Sequence, residues 1–233
     1  MDAAHGLHYH IRGSDKVRKV ALTFDDGPNP PRTEQVLRIL ADHGARASFF
    51  VLGKWVDLWP GTLERIVAAG QVVGNHGYAH AWHLNDYERA EAVISHVTGV
   101  PTPFLRAAWF HYEACELSPV ALSRPIIDSD VNPGDWQLAD PDEICRTILE
   151  HPSLGPGSII HLHDGSESDD DVARVSRPVP MIAALPEIIV GLRDRGLEPV
   201  GLDEMDLSQP LTWHGARDPE EAKMRAQARN GRA

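Results

Sequence analysis

Two adjacent carboxylates, Asp25 and Asp26, stand before Gly27-Pro28, and two imidazoles lie four residues apart in His76-Gly77-Tyr78-Ala79-His80. Imidazoles at that spacing reach one metal ion if the loop between them makes a single helical turn. One nearby carboxylate then completes a three-ligand site that leaves positions for water and substrate, and either Asp25 or Asp26 can supply it. Hydrolysis at such a site also needs an unligated carboxylate to take a proton from water, so the pair offers a division of labour. Each piece alone is weak. With 13 His in the chain a His-xxx-His pair arises readily by chance, and Asp-Asp-Gly-Pro is also an ordinary turn sequence. The inner Glu of the metalloprotease helix is absent, which excludes that class.

Something must bring these groups together, and the apolar pattern says what. Val20 to Phe24 predicts a buried strand that stops at the carboxylates. Val36, Leu37 and Leu40 at helical spacing, with Gly44 behind, complete a strand–helix unit. The alternation continues with strands at 47–52, 72–73, 104–105, 125–127, 158–162 and 199–202. Between them lie helical patterns, one starting at Asp140-Pro141-Asp142-Glu143 and one that Pro186 begins or kinks. Seven strands alternating with helices predict an α/β fold, a distorted (β/α) barrel of about seven parallel strands in a single domain, with an open doubly wound sheet as the alternative. In both architectures ligands bind at the carboxyl ends of the strands. Asp25-Asp26, His76 with His80, Arg106, Asp135-Trp136 and His163-Asp164 all fall at or just beyond such ends. Scattered surface residues would not share one rim.

Composition removes other classes. The chain has 233 residues, 42% of them apolar, enough for one domain with a sizeable core. A net charge of −12 speaks against nucleic acid and against anionic membranes as partners. Cys115 and Cys145 are too few for a disulfide scaffold. The N-terminal residues lack a signal-peptide core and no segment is long and apolar enough to span a bilayer, so the expectation is a cytoplasmic protein without an obligate protein partner. Residues 1–18 read as a polar lead-in, 19–207 as the catalytic domain and 208–233 as a charged tail.

Taken in order, Thr23-Phe24-Asp25-Asp26-Gly27-Pro28, Asn75-His76-xxx-His80, Arg106, Asp135-Trp136 and Leu162-His163-Asp164-Gly165 resemble the polysaccharide deacetylases of carbohydrate esterase family 4, in particular the nodulation-type chitooligosaccharide deacetylases. The resemblance runs from about Lys19 to Glu204. It implies metal-dependent hydrolysis of an N-acetyl group on an amino-sugar oligomer. Asp26, His76 and His80 would hold a divalent metal, zinc first, with cobalt or nickel as alternatives. Asp25 would be the general base, steered by Arg106, and His163 the general acid, kept cationic by Asp135. The backbone N–H of Trp109 would assist the oxyanion, and Phe110, Trp136, His161 and Leu162 would complete the substrate pocket. No organic cofactor is implied.

The departures from the family pattern are equally specific. Where it has Arg-x-Pro, an aromatic and usually Gly, this chain has Arg106-Ala107-Ala108-Trp109-Phe110, which loses a rigid Pro and adds bulk. Gly77 replaces a hydroxyl residue that braces the loop, and His161 replaces a Leu of the acyl pocket. These changes leave two alternatives: the same chemistry on a non-glycan N-acyl or N-formyl compound, or a non-catalytic sugar-binding relative. Trp82 is a candidate sugar platform, Trp55 and Trp59 are expected to pack, and His83, His111 and the acidic run at 164–171 read as surface.

Overall fold

A computed structural model describes residues 7–81, 85–112, 115, 118–166, 168 and 179–213. Its centre is the strand β2 (Lys19–Gly27), which follows a short first strand, β1 (Leu7–His10). Then come α1 (Arg32–Asp42), β3 (Ser48–Val51), α2 (Gly53–Leu58), α3 (Pro60–Ala68), β4 (Val72–Asn75) and α4 (Asp86–Thr98). The second half supplies α5 (Pro119–Leu122), β5 (Ile126–Ile127), α6 (Pro141–Leu149), β6 (Ile159–His163), α7 (Pro180–Asp194), β7 (Glu198–Val200) and β8 (Leu211–Trp213).

Parallel pairing runs β4-β3-β2-β6, with β7 on the early part of β2. Single bridges close the rest of the ring: Asn75 to Leu105, Leu105 to Ile126, and Val131 to Ile160. The result is the distorted barrel that the alternation predicts, and its fourth strand shrinks to the bridge at Leu105. Two strands lie in segments that carry no strand pattern: β1 pairs with β5 in parallel and with β8 antiparallel. Among the described residues no helix is long and apolar enough to cross a membrane.

Period-two alternation sorts the strand residues. Val20, Leu22 and Phe24 of β2 face outward and join Ile160 and Leu162 of β6 in a core shared with the helices. Ala21 and Ile159 face inward and pack with Phe50, Phe104 and Ile127 in the barrel lumen. That places Thr23, Asp25, His161 and His163 above the luminal plug. It also corrects one expectation: Leu162 is buried against the helices, one residue out of phase with the site, and does not line the pocket. Pro186 lies inside α7, which starts six residues earlier at Pro180.

The carboxylates also sit differently from a loop beyond the strand, because β2 continues through them. Asp25 pairs with Phe50 and Gly27 with Val51, so Asp26 is the extra residue of a β-bulge, and its φ is 68°. In a regular strand Asp25 and Asp26 would point to opposite faces. The bulge turns both into the site. The turn after β6 locks against it, the N–H groups of Asp164 and Gly165 each donating to the Asp25 carbonyl at 3.3 Å. A methyl group at Gly165 would overlap the Asp26 carbonyl. Gly165→Ala is therefore expected to lower stability by about 1–3 kcal/mol, as overpacking does; an unchanged denaturation midpoint would show that the turn can shift without cost.

Candidate active site

Ladder register brings the proposed groups opposite one another: Asp25 faces His163 and Thr23 faces His161 across the β2–β6 pair. At the end of β4, Asn75 continues into His76, and the bridge to Leu105 delivers Arg106 beside it. Asp26, His76 and His80 converge, with Asp26 Oδ1 3.6 Å from His76 Nε2 and 3.8 Å from His80 Nε2. Those separations are too long for hydrogen bonds. They approach the roughly 3.3 Å between donors on a tetrahedral ion with bonds of about 2 Å, so the donor set fits a divalent cation.

The protonation of the imidazoles agrees. Burial lowers the pKa of His76 despite the opposing charge of Asp25, and burial above all lowers that of His80 to about 2. Both are neutral at ordinary pH. His76 Nδ1 is 3.0 Å from the Arg106 carbonyl, a bond that requires the proton on Nδ1 and leaves the Nε2 lone pair facing Asp26.

The loop between the two imidazoles makes no helical turn, contrary to the simplest reading of their spacing. Gly77 has φ of 85° and His80 of 57°, and these left-handed residues reverse the chain instead. The brace that Gly77 lacks comes from elsewhere. Asp86, in the first turn of α4, accepts hydrogen bonds from the N–H groups of Tyr78 (2.9 Å) and Ala79 (3.1 Å), and Asn75 Oδ1 accepts that of Gly77 (2.8 Å). A side chain at 77 would overlap the Asp86 carboxylate. Gly and Asp86 therefore form one alternative solution to holding the loop.

Asp25 has a different environment from Asp26. Its Oδ1 accepts from Arg106 Nη1 at 2.7 Å, and its Oδ2 lies 2.9 Å from His161 Nε2 and 3.5 Å from His76 Nε2. Burial alone would raise its pKa; the charge of Arg106, helped by the contact with His161, outweighs that and holds the carboxyl well below the usual range. Arg106 is fully buried and spends its guanidinium on Thr23 Oγ1, the Ile127 and Asp128 carbonyls and the Asp25 carboxylate, its flat face over Phe50.

His163 and Asp135 form the second ion pair, with Nδ1 to Oδ1 at 2.8 Å and the His163 N–H donating to Oδ2 at 2.9 Å. Burial opposes the charge on His163, yet the Asp135 charge and hydrogen bond, with Asp26 and Asp25 behind them, raise its pKa to about 9. With Nδ1 held by Asp135, Nε2 is the ring nitrogen left to donate a proton. Trp136, 52% exposed, meets the His163 ring edge-on at 4.9 Å, and Trp109, 51% exposed, lies 4.6 Å from the His80 ring. Two half-open indole rings thus flank the mouth. The segment without its Pro is held as a 3-10 turn over Ala108–Phe110, and Trp109 and Phe110 adopt φ of 55° and 54°. Consecutive left-handed residues of this bulk are costly, and such strain gathers at functional sites.

Of the remaining candidates, Trp55 and Trp59 stack on each other and Trp55 Nε1 donates to the Ser166 carbonyl, so they pack. Trp82, His83 and four of the eight residues of the acidic run lie outside the described residues. Asp164, which shares the last sequence motif, is buried beside Thr33 Oγ1 at 2.5 Å, and burial pushes its pKa up to about 7. Thr23, quoted above only as part of its motif, and Asp86 and Asn132, outside every motif, are further supports of the site. Asn132 alone had a local signal, an Asn-Pro-Gly turn three residues before Asp135.

With this geometry in place, comparison supplies the class. The polysaccharide deacetylase family model matches residues 12–112. A chitooligosaccharide deacetylase of Rhizobium leguminosarum bv. trifolii is 35% identical over 197 residues, covering 79% of this chain and 89% of that protein. A peptidoglycan N-acetylglucosamine deacetylase, solved in complex with an N-oxidanyl-benzamide, superposes with a TM-score of 0.71 at 27% identity over 85% of this chain and 92% of its own. A family 4 carbohydrate esterase from Streptomyces lividans, solved with acetate, gives 0.66 at 28% identity over 78% and 91%. The chain belongs to the polysaccharide deacetylase family.

The buried Arg106–Asp25 pair makes a stability prediction independent of activity. Arg106→Ala leaves an uncompensated carboxylate and is expected to cost about 3–5 kcal/mol in denaturant unfolding. A loss below about 1 kcal/mol would mean that water or another cation replaces the guanidinium.

Proposed function

We propose that this protein is a metal-dependent N-deacetylase acting on an N-acetylated amino-sugar oligomer or glycoconjugate. The observation that carries this reading is the split of two neighbouring carboxylates by one bulge, Asp26 toward His76 and His80, Asp25 toward Arg106. Asp26, His76 and His80 would hold the ion, zinc first by donor type, with cobalt or nickel able to take the same ligands. Such an ion, when bound, acidifies a water and polarises the acetyl carbonyl.

The chain's own groups supply the rest. Asp25, kept ionised by Arg106, takes the proton from the attacking water. His163, charged through Asp135, gives a proton to the departing nitrogen as the C–N bond breaks, so amide and water become acetate and an amine. Phe110, Trp136 and His161 surround the acyl end, and the exposed rings of Trp109 and Trp136 offer flat faces to a sugar. The backbone N–H of Trp109 would share the oxyanion charge. The relatives support the substrate class, since their names attach them to chitooligosaccharides and peptidoglycan N-acetylglucosamine.

Purified protein is expected to release acetate from N-acetylglucosamine oligomers, to stop after chelation and to recover with zinc. Asp25→Asn should lower turnover by roughly 10²–10⁴-fold while metal content stays the same; undiminished turnover would remove Asp25 from the mechanism. The acid form of His163 exists below its pKa of about 9 and is lost above it. Activity should therefore fall as pH rises through that region, and Asp135→Asn should move this limb to lower pH. A limb that stays in place would assign it to another group.

A further inference from the structure

The site contains a second cluster with metal-like spacing: Asp25, His161 and His163 each offer a ligand atom within 4.8 Å of the others. What His161 contributes there is decided by its far nitrogen. Strand β6 is pinned to the segment after β5, where Val131 N–H donates to the Ile159 carbonyl and His161 N–H donates to the Val131 carbonyl. Those bonds set Asn132 beside the His161 ring, with Asn132 Nδ2 2.8 Å from His161 Nδ1. The amide cannot be turned over without loss, because Asn132 Oδ1 accepts the Gly134 N–H at 3.0 Å. Asn132 therefore donates to Nδ1, so Nδ1 carries a lone pair and the single proton of the neutral ring sits on Nε2.

Nε2 is buried and reaches Asp25 Oδ2 at 2.9 Å, approaching obliquely to a straight hydrogen bond. A protonated Nε2 has no lone pair for a metal. The same proton is attractive toward a carboxylate already held by Arg106 on its other oxygen. Phe110, edge-on at 5.1 Å, and His163, at 4.5 Å between centroids, hold the ring laterally.

We infer that His161 is a positioning residue for the general base: Asn132 locks it as the Nε2–H tautomer, it fixes the second oxygen of Asp25, and it closes this corner to a second cation. The inference rests on the assignment of Asp25 above, and its primary test does not use activity. In metal-free protein labelled with ¹⁵N in the imidazoles, and with His161 assigned by its loss in His161→Gln, the two-bond correlation pattern should report a protonated Nε2 and an unprotonated Nδ1 at neutral pH. Asn132→Leu should mix the tautomers. An Nδ1–H tautomer or an imidazolium in the wild-type protein overturns the lock.

Metal titration gives a second readout. One tightly bound zinc per chain is expected, and a second that disappears in His161→Leu overturns the closure. In turnover assays, Asn132→Leu and His161→Leu should lower kcat about tenfold with KM nearly unchanged, and His161→Gln, which still presents an N–H, should recover most of it. Unchanged kcat in both Leu variants overturns the positioning role. Absence of deacetylation in the wild-type protein, with the tautomer as expected, counts against the proposed function and leaves the lock standing.

Discussion

One extra residue in β2 organises the site. Two consecutive side chains of a strand face opposite ways, so a strand that must present both Asp25 and Asp26 to one cavity has to break its own period. The bulge does this by putting Asp26 in the left-handed region, and everything adjacent is shaped to keep it there. The turn after β6 bonds to the Asp25 carbonyl, and Gly165 leaves room for the Asp26 carbonyl. Left-handed Asp is tolerated better than most residues, because its short side chain can bond locally.

Around that bulge the buried charges alternate in sign. Arg106 pairs with Asp25, and His163 pairs with Asp135, while His76 and His80 remain neutral. Burial disfavours every one of these charges, so each survives only with a partner at hydrogen-bond distance. The consequence is functional differentiation of like residues. Three imidazoles within one pocket adopt three states: neutral His76 with the lone pair on Nε2, neutral His161 with the proton on Nε2, and His163 poised as a cation. The partner at the far ring nitrogen, a carbonyl, an amide or a carboxylate, sets each one.

The departures from the family pattern are structurally compensated. Gly77 gives up a side-chain brace, and Asp86 braces the same loop from the start of α4. Ala107-Ala108 gives up a Pro, and the segment is held by a 3-10 turn and by the Ala108 N–H donating to the Tyr87 hydroxyl at 3.2 Å. His161 places a polar ring where an apolar Leu is usual, and Asn132 satisfies it. Each change is local, and two of the three second partners, Tyr87 and Asn132, are distant in sequence, 21 and 29 residues away.

That distance explains what could be read in advance. Residue type and order along the chain determined the alternation of strands and helices, the strand ends as the place of chemistry, and the seven polar groups that meet there, Asp25, Asp26, His76, His80, Arg106, Asp135 and His163, because apolar period and motif spacing are local properties. β1 and β8 carry no local strand signal, since their pairing is made by partners more than a hundred residues away. The family resemblance put Leu162 in the pocket, and only the phase of β6 against β2 turns it to the helices. A helical turn is the simplest way for His76 and His80 to share an ion, and tertiary packing chose left-handed residues instead. Which carboxylate faces the imidazoles, and which nitrogen of each imidazole carries a proton, depends on a bulge and on hydrogen bonds across the barrel. Those are properties of the folded chain alone, because both groups in each pair meet only when the ring of strands closes.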